Sequence, residues 1–334
     1  MNRQFLLNAR PVGDLKHSDF KLVDSEMPVP GEGEVLIKVQ YLAVEPAMRG
    51  WMVNQADYVA PLELGDLMPG NGLGRVIESR HPDFPVGTRV SGGFGWQEYL
   101  VSNGRNVRLQ KVPDNVAPTS AMSLLGITGL TAYFGLREIG QPREGDTVLV
   151  SGAAGATGSV VGQLAKLWGC GNVVGVAGSR EKCDWLVNEL GFDAAINYRE
   201  EDPAARVPEL CPGGVDIFFD NVGGEILDVA LANIADNARL VICGGISRYN
   251  TDGAIPGPAN YFNLVLRRAR MEGFIVLDYL PRFGEALRYL EEQLSQGKLK
   301  SRETVTEGFE RMPDALMGLF SGENIGKQLV HLAD

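Results

Sequence analysis

Hydrophobic and polar residues alternate along the first third of the chain, with the period of a strand that buries one face. In the run 35–41, one face holds Val35, Ile37, Val39 and Tyr41, and the other holds Leu36, Lys38 and Gln40. Glycine and proline interrupt the region at intervals, as in Pro69-Gly70. We therefore predict short strands joined by turns that close into a small β-barrel.

The pattern changes near residue 120, where apolar runs begin to alternate with helical periodicity. One helical face is formed by Val161, Leu164, Ala165 and Trp168, at i, i+3, i+4 and i+7. A second helical stretch covers 180–190. Buried strands are predicted over 147–150, 172–177, 194–197, 215–219, 239–243 and 274–277. Strands that alternate with helices indicate an α/β fold with a doubly wound parallel sheet.

The last segment changes character again. An apolar helical stripe runs from Phe283 to Leu294 and stops before Gly297. The residues that follow have the pattern strand, helix, strand, ending at 328–331. We expect this tail to return to the first domain. The predicted domains are therefore 1–120 together with 297–334, and 121–296.

Composition narrows the classes of function. The chain has 334 residues, 44% of them hydrophobic and 22% charged, as expected for two globular domains. The net charge of −11 disfavours nonspecific binding to nucleic acid or to an anionic membrane. We recognise neither a signal peptide nor an apolar run long enough to span a bilayer. The scattered cysteines, Cys170, Cys183, Cys211 and Cys243, suit a reducing cytoplasm.

A glycine-rich turn follows the strand at 147–150. Its sequence is Gly152-Ala153-Ala154-Gly155-Ala156-Thr157-Gly158, and a helix comes next. Glycines permit the sharp turn and the close approach of a pyrophosphate, which backbone N–H groups at the helix start can bind. A tight turn without a ligand is the alternative. The strand–turn–helix context favours a dinucleotide site.

The end of the next strand bears on which dinucleotide binds. NAD sites usually carry Asp or Glu there for the ribose 2′-hydroxyl, whereas this chain has Gly178 and Ser179. A carboxylate would repel a 2′-phosphate, while Lys182 would attract it. The sequence therefore favours NADPH over NADH. Arg180 is left open as either a phosphate contact or a solvated helix residue.

Residues for metal or nucleophilic chemistry do not cluster in the sequence. The histidines His17, His81 and His331 lie apart from one another and from the cysteines, so a zinc site is not supported. Without a Lewis acid, alcohol oxidation is harder, because alkoxide charge must be stabilised. Reduction of an activated alkene is easier, since the negative charge spreads onto a carbonyl oxygen that a hydrogen-bond donor can hold.

Several motifs in order give a resemblance that covers nearly the whole chain. They are Pro46-Ala47-Met48-Arg49-Gly50, the segment 125–133, the glycine-rich turn, Phe219-Asp220-Asn221-Val222-Gly223-Gly224, the segment 243–250, Glu272-Gly273-Phe274-Ile275-Val276, and Asn324-Ile325-Gly326-Lys327. The chain resembles the zinc-independent medium-chain dehydrogenase/reductase family, in the group of leukotriene dehydrogenase/prostaglandin reductase and the curcumin and alkenal double-bond reductases. This implies a GroES-like β-barrel catalytic domain, a Rossmann NADP-binding domain and a homodimer.

The resemblance also implies which residues bind the cofactor. The pyrophosphate would lie on Gly155, Ala156, Thr157 and Gly158. The ribose phosphate would be flanked by Lys182 and Tyr198, with space left by Gly178 and Ser179. The crevice would continue along Asn221, Cys243, Gly244, Ser247 and Tyr249. The nicotinamide amide would meet the backbone of Phe274, Ile275 and Val276, and the tail would close the site with Asn324 and Gly326.

Some of these positions have a structural alternative. Asn221 also suits a turn before Gly223-Gly224, and Cys243 suits a small buried residue. The residues 274–276 also suit a core strand. The substrate would contact Ala47, Met48, Arg49 and Asn71.

Two departures from the relatives concern this pocket. Asn71 stands where zinc-dependent relatives have a histidine ligand, and they have a cysteine near Glu45. Close relatives often have tyrosine where this chain has Ala47, which removes an aromatic wall.

The function expected from these features is NADPH-dependent reduction of the C=C bond of α,β-unsaturated ketones and aldehydes. Hydride would reach the β-carbon, and Tyr249 would hydrogen-bond the carbonyl and support protonation, with water or the cofactor ribose hydroxyl as alternatives for this role. Packing of the Tyr249 ring over the nicotinamide or a loop is the alternative for that residue. The alternatives for the whole protein are an NADPH-dependent quinone reductase and a non-catalytic NADPH-binding protein.

Overall fold

The protein is described by a computed structural model over residues 1–53, 59–251 and 253–332. The chain divides into two compact units, Met1–Met122 with Glu303–Asp334, and Ser123–Arg302. The first unit therefore takes in both ends of the chain. The helix Phe283–Ser295 belongs to the second unit, and the segment that follows Arg302 belongs to the first.

The described residues contain fifteen strands. They are β1 (Asn2–Leu7), β2 (Phe20–Ser25), β3 (Val35–Ala43), β4 (Asn71–Ser79), β5 (Arg89–Gly93), β6 (Tyr99–Ser102), β7 (Gln110–Lys111), β8 (Thr147–Val150), β9 (Asn172–Ala177), β10 (Ala194–Asn197), β11 (Val215–Asp220), β12 (Ile234–Ile242), β13 (Arg270–Gly273), β14 (Glu303–Glu307) and β15 (Lys327–His331).

The same residues contain ten α-helices. They are α1 (Ala47–Trp51), α2 (Pro118–Met122), α3 (Ile127–Phe134), α4 (Ala156–Leu167), α5 (Arg180–Asn188), α6 (Pro203–Leu210), α7 (Gly224–Ala232), α8 (Asn263–Leu266), α9 (Phe283–Ser295) and α10 (Met312–Ser321). Helix α3 continues into a π-helix, Gly135–Gly140. Short 3₁₀ turns include His17–Asp19, Ile246–Arg248, Val276–Arg282 and Phe309–Arg311.

The first unit is built on a seven-stranded sheet in the order β14-β15-β3-β4-β5-β7, with β6 paired to β3. Strands β1 and β2 form a separate antiparallel pair. Val35, Ile37 and Val39 are buried, as the alternation predicts. Leu36 is buried as well, because β3 pairs with β4 on one side and with β6 on the other. The tail forms β14, α10 and β15, and β15 pairs antiparallel with β3.

The second unit is built on a six-stranded parallel sheet in the order β10-β9-β8-β11-β12-β13. The chain starts in the middle at β8, builds outward through β9 and β10, then returns to the other side through β11, β12 and β13. This order is that of a Rossmann fold, and it confirms the predicted doubly wound sheet. The ladders of β8, β9 and β10 start and end where the apolar runs predict.

The strand predicted over 274–277 is wrong. The last strand of the sheet is Arg270–Gly273, and a 3₁₀ turn occupies Val276–Arg282. Every residue of β13 is exposed, because it is the edge strand of the sheet. An exposed edge strand has no need of the apolar run that marks the buried strands, so its sequence, Arg-Met-Glu-Gly, gives little signal.

Candidate active site

Six of the predicted cofactor segments follow strands of the parallel sheet. The strands β8, β9, β10, β11, β12 and β13 lead into the segments that begin near Ser151, Gly178, Tyr198, Asn221, Cys243 and Phe274. The carboxyl ends of parallel strands meet at one edge of a sheet, which is where open α/β sheets bind ligands. Six segments far apart in sequence are thereby brought to one edge.

The glycine-rich turn has the geometry that a close phosphate approach requires. Gly152 has φ of +56°, a conformation that L side chains rarely adopt. A Cβ on Gly158 would lie 2.5 Å from the carbonyl oxygen of Gly152, so only glycine lets α4 begin this close to the turn. Gly155 is the N-cap of α4, and Ala156 and Thr157 form its first turn. The first N–H groups of a helix lack intrahelical acceptors and can bind an anion.

A side chain in place of Gly178, at the end of β9, would crowd Tyr198. A Cβ on Gly178 would lie 3.0 Å from Oη of Tyr198 and 3.1 Å from its ring. Ser179 is the N-cap of α5, and its hydroxyl accepts a hydrogen bond from the N–H of Lys182 at 3.3 Å. Gly178, Ser179, Lys182 and Tyr198 therefore lie together, as the resemblance implies.

Two cations meet at this point. The pKa of Lys182 is lowered, first by burial and then by the positive charge of Arg199. The Arg199 guanidinium lies 6.0 Å from the centre of the Tyr198 ring. A site that brings two like charges together is suited to an anion, because bound negative charge relieves their repulsion. Arg180, in contrast, has an 86% exposed side chain and lies 3.9 Å from Asp184, as a solvated helix residue does.

A buried carboxylate organises the ends of β8 and β11. Asp220 is 1% exposed, and its Oδ1 accepts hydrogen bonds from Ser151 Oγ at 2.7 Å and from Gly223 N at 2.9 Å. Its Oδ2 is buried and has no hydrogen-bond partner. Burial raises the pKa of Asp220, and these hydrogen bonds oppose the rise.

Asn221 is held by the same serine. Its backbone N–H donates to Ser151 Oγ at 2.8 Å, and its Nδ2 donates to the Ser151 carbonyl at 2.7 Å. The side-chain amide is therefore oriented by the strand end of β8. This contact fits the turn-forming alternative for Asn221, and a cofactor contact through its Oδ1 stays a prediction.

The loop after β12 folds against the loop after β11. Ser247 donates through Oγ to the Val222 carbonyl at 2.6 Å, and a Cβ on Gly244 would lie 3.4 Å from the Asn221 carbonyl. Tyr249 Oη accepts a hydrogen bond from the N–H of Gly245 at 3.2 Å. The phenol is thereby fixed within its own loop.

Cys243 lies at the base of this loop, where its N–H donates to the Asp220 carbonyl at 2.9 Å. Burial, with a smaller contribution from the Asp220 charge, raises the pKa of its thiol to about 12. Cys243 therefore stays a neutral thiol near neutral pH. Because Cys243 is partly exposed, its contact with the cofactor stays a prediction.

The segment 274–276 leaves the edge strand at the same end of the sheet. The ring of Phe274 packs into the interior of this unit, where a Cβ on Gly135 would lie 2.5 Å from it and 2.9 Å from Phe219. Ile275 is extended, and Val276 begins the 3₁₀ turn. The Phe274 side chain therefore has a packing role, while a backbone contact of 274–276 with a nicotinamide stays a prediction.

The first unit contains a cavity of about 390 Å³. Its lining is mostly apolar and includes Met48, Trp51 and Phe94, and Asn71 also lines it. Ala47 does not line this cavity and begins helix α1. Arg49 does not line it either: its guanidinium is buried and donates to the Gly13 carbonyl at 3.0 Å and to the Pro11 carbonyl at 3.3 Å. Of the four predicted substrate residues, the structure therefore brings Met48 and Asn71 to one cavity.

The predicted tail residues lie just before β15. Asn324 donates through Nδ2 to the Gly326 carbonyl at 2.8 Å, and Gly326 has φ of +67°. These contacts shape the turn that leads into β15. The contribution of Asn324 and Gly326 to a cofactor site stays a prediction.

Comparison with known proteins places this geometry in a family. Residues 3–111 match the model of the N-terminal domain of oxidoreductases, and residues 156–292 match that of zinc-binding dehydrogenases. The chain is 39% identical to the NADPH-dependent curcumin reductase of Escherichia coli (strain K12), over 99% of this chain and 97% of that protein. It is 42% identical to the NADP(+)-dependent 2-alkenal reductase of Nicotiana tabacum, over 98% of this chain and 97% of that one.

A solved structure of a related protein supports the same family assignment. CurA from Vibrio vulnificus in complex with NADPH superposes with a TM-score of 0.93 at 40% identity, covering 99% of each chain. The chain belongs to the zinc-independent medium-chain dehydrogenase/reductase family. Within the residues that the structure describes for this family member, no group of three or more His, Cys, Asp or Glu side chains is placed to hold a metal ion. No helix in that part of the chain is both long and apolar enough to cross a membrane.

Sequence reasoning missed three residues of this family member's site. Arg199 follows β10 at the same sheet edge as Lys182, and a basic residue at a strand end was the available signal. Ser151 and Asp220 stand at the ends of β8 and β11, where polar residues interrupt apolar runs. The hydrogen bond between Ser151 and Asp220 joins positions 69 residues apart, and no local sequence pattern predicts it.

Proposed function

We propose that this protein is an NADPH-dependent reductase of the C=C bond of α,β-unsaturated ketones and aldehydes. The observation that carries the proposal is the full-length similarity to curcumin and alkenal reductases, together with a sheet edge whose residues fit the cofactor. The bound cofactor supplies a hydride to the β-carbon of the substrate. No metal ion is required by this chemistry, because the charge is delocalised onto the carbonyl oxygen of an enolate.

The residues at the sheet edge fit NADPH in particular. The glycine cradle at Gly152, Gly155 and Gly158 admits a pyrophosphate that a Cβ would obstruct. Lys182 and Arg199 provide the paired positive charge for a 2′-phosphate, and Gly178 lacks the acidic side chain of an NAD site.

Tyr249 is our candidate for the donor to the substrate carbonyl. Its Oη already accepts the N–H of Gly245, so the direction of the phenol is constrained by the loop. A phenol that accepts one hydrogen bond polarises its own O–H and becomes a better donor. The O–H is then suited to hold the carbonyl oxygen as negative charge develops there.

The proposal is tested by NADPH consumption with enones, enals, quinones and alcohols, and by the position of the label after reduction with deuterated NADPH. Deuterium at the β-carbon of a saturated ketone is the expected result. Consumption with quinones alone would replace the proposed activity by quinone reduction. NADPH binding without turnover on any of these substrates would make the protein a non-catalytic binder.

The role of Tyr249 is tested by Tyr249→Phe, which keeps the ring and removes the hydroxyl. We expect kcat on an enone to fall by roughly 10²–10³, as when one oxyanion donor is removed. NADPH affinity should stay within about twofold. A nearly unchanged kcat would assign protonation to water or the cofactor ribose, and a loss of NADPH binding alone would make Tyr249 a cofactor residue.

We also propose that the protein is a homodimer. Strand β13 ends the sheet order and all its residues are exposed. The segment just before it carries exposed apolar side chains at Tyr261, Phe262, Val265 and Leu266. An exposed edge strand beside an apolar patch suits pairing with the same strand of a second copy about a twofold axis.

A cytoplasmic location is proposed from the four free thiols, which suit a reducing compartment.

A further inference from the structure

The cavity of the first unit contains an acidic residue in a mostly apolar wall. Four residues of the described lining have side chains with nitrogen or oxygen atoms: Glu45, Trp51, Asn71 and Gln97. Both polar groups of Gln97 are engaged within the protein, since its Nε2 donates to the Phe94 carbonyl at 2.7 Å and its Oε1 accepts from Gln4 at 2.9 Å. Trp51 and Asn71 carry no charge. Among the lining residues that the structure describes, Glu45 is the charged one.

The Glu45 side chain is fixed by a buried lysine. Lys327 Nζ lies 3.0 Å from Glu45 Oε1, and the two side chains are 3% and 15% exposed. Lys327 does not line the cavity, whereas Glu45 does. The backbone reinforces this placement, because Lys327 opens β15 and the N–H of Val44 donates to the Gln328 carbonyl at 3.4 Å. The carboxylate is therefore held by two paired strand segments.

This arrangement has a chemical consequence for anything that enters the cavity. The ion pair engages Oε1, and Oε2 is the second acceptor of the same carboxylate. Where a ligand in the cavity covers the Glu45 carboxylate, it removes water from that group, which costs free energy unless the ligand donates a hydrogen bond. A hydroxyl supplies one, an ether does not, and a ligand carboxylate adds like charge.

We propose that Glu45, positioned by Lys327, determines substrate specificity, and that the protein prefers neutral enones that carry a hydroxyl group over matching ethers and carboxylates. The inference rests on the proposed enone reductase function and on this cavity taking up the substrate. Sites that hydrogen-bond a substrate hydroxyl reject the analogue that lacks it, because their own polar group is left unpaired.

The test uses three aryl enones that differ at one position insulated from the alkene by a methylene group: hydroxymethyl, methoxymethyl and carboxymethyl. The hydroxymethyl compound should have the highest kcat/KM of the three. Its advantage over each of the others should be roughly ten- to hundredfold, the range of a hydrogen bond to a charged group. Equal kcat/KM values for all three would overturn the role of Glu45 and leave enone reduction intact. No reduction of any of them would instead overturn the proposed function.

Two variants assign the preference to this pair of residues. Glu45→Gln should reduce both preferences by about tenfold or more. The double variant Glu45→Leu/Lys327→Met removes both charges together, so that no unpaired charge is buried. It should abolish both preferences. Glu63→Gln is the matched control, because Glu63 is exposed and pairs with Arg10 at 3.3 Å outside the cavity lining. Preferences retained in the double variant, or lost equally in Glu63→Gln, would contradict the proposal.

Discussion

Lys182 and Arg199 show at the scale of single residues how a binding preference is built. Each has an ordinary local explanation as a polar residue near a helix start or a strand end. Together they place positive charge beside Gly178 and Tyr198, and the pKa of Lys182 is lowered, first by burial and then by the charge of Arg199. We therefore propose that phosphate discrimination belongs to the pair, while the absence of an acid at Gly178 removes the competing preference.

Lys182→Ala and Arg199→Ala should each weaken NADPH binding much more than NADH binding. A hydrogen bond to a charged group contributes about 1.5–3 kcal/mol, so the dissociation constant for NADPH should rise roughly ten- to hundredfold. Fluorescence titration of both cofactors measures the difference. Arg180→Ala is the control, because that side chain is exposed, and it should change NADPH affinity less than about twofold. Equal losses of affinity for NADPH and NADH would show that neither residue recognises the 2′-phosphate.

Asp220 is a single residue whose charge should affect stability. Because its folded-state pKa is raised above the unfolded value of about 3.9, folding favours its neutral form. The stabilising contribution is complete below about pH 4 and is lost as the pH rises through the folded-state pKa.

Asp220→Asn removes this titration and keeps an oxygen acceptor. The melting temperature of the variant minus that of the parent should therefore become more positive between pH 4 and pH 7. Thermal unfolding at several pH values measures this trend. Asp83→Asn, at an exposed position, should give no such trend. A difference that stayed constant or fell with pH would contradict the role assigned to burial.

At the scale of elements, the start of α4 depends on contact between two backbones. The helix begins against the turn that leaves β8, and the missing Cβ of Gly158 provides the space. The same closeness directs the first N–H groups of the helix to the sheet edge. The close packing of α4 against the turn and the proposed phosphate binding therefore have the same structural cause, the missing Cβ of Gly158.

Gly158→Ala should destabilise the protein and weaken NADPH binding together. Its Cβ would lie 2.5 Å from a backbone oxygen, and overpacking of this kind costs typically about 1–3 kcal/mol. Chemical denaturation and cofactor titration give the two readouts. Gly213→Ala places a Cβ with no neighbour within 4 Å and should change neither. A Gly158→Ala protein with parental stability and affinity would mean that the turn adjusts at little cost.

In the whole molecule, the fold brings together elements that are far apart in the sequence. Both ends of the chain form one unit, in which β15 pairs with β3. The second unit leaves β13 as an uncovered edge with apolar residues beside it. The first feature places Lys327 beside Glu45, which lines the cavity, and the second is the basis of the proposed dimer.

Val265→Lys should shift the protein from dimer to monomer, because it places a charge in the apolar patch beside β13. The Val265 side chain is 65% exposed, so the folded monomer should tolerate the change. Light scattering coupled to gel filtration measures the mass across a dilution series. Val29→Lys is the matched control, since Val29 is 74% exposed in the other unit. A parent that is monomeric at all concentrations, or a variant that stays dimeric, would contradict the proposed interface.

Features that depend on neighbouring residues could be predicted from the sequence. Period-two and helical patterns fix the strands and helices, and β8, β9 and β10 lie where the apolar runs predict. The glycine-rich turn is equally local, because the conformation it needs is a property of glycine. The edge strand β13 escaped prediction because exposure removes the apolar signal.

Which distant residues lie together depends on the folded chain and could not be predicted from local patterns. Glu45 meets Lys327 across 282 positions, and Ser151 meets Asp220 across 69. Lys182 and Arg199 meet because neighbouring parallel strands end at the same edge. Local periodicity reflects which face of an element is buried, and it carries no information about which other element covers that face. The pairing of strands supplies that information, so the charges that select the cofactor and the proposed substrate emerge only in the folded chain.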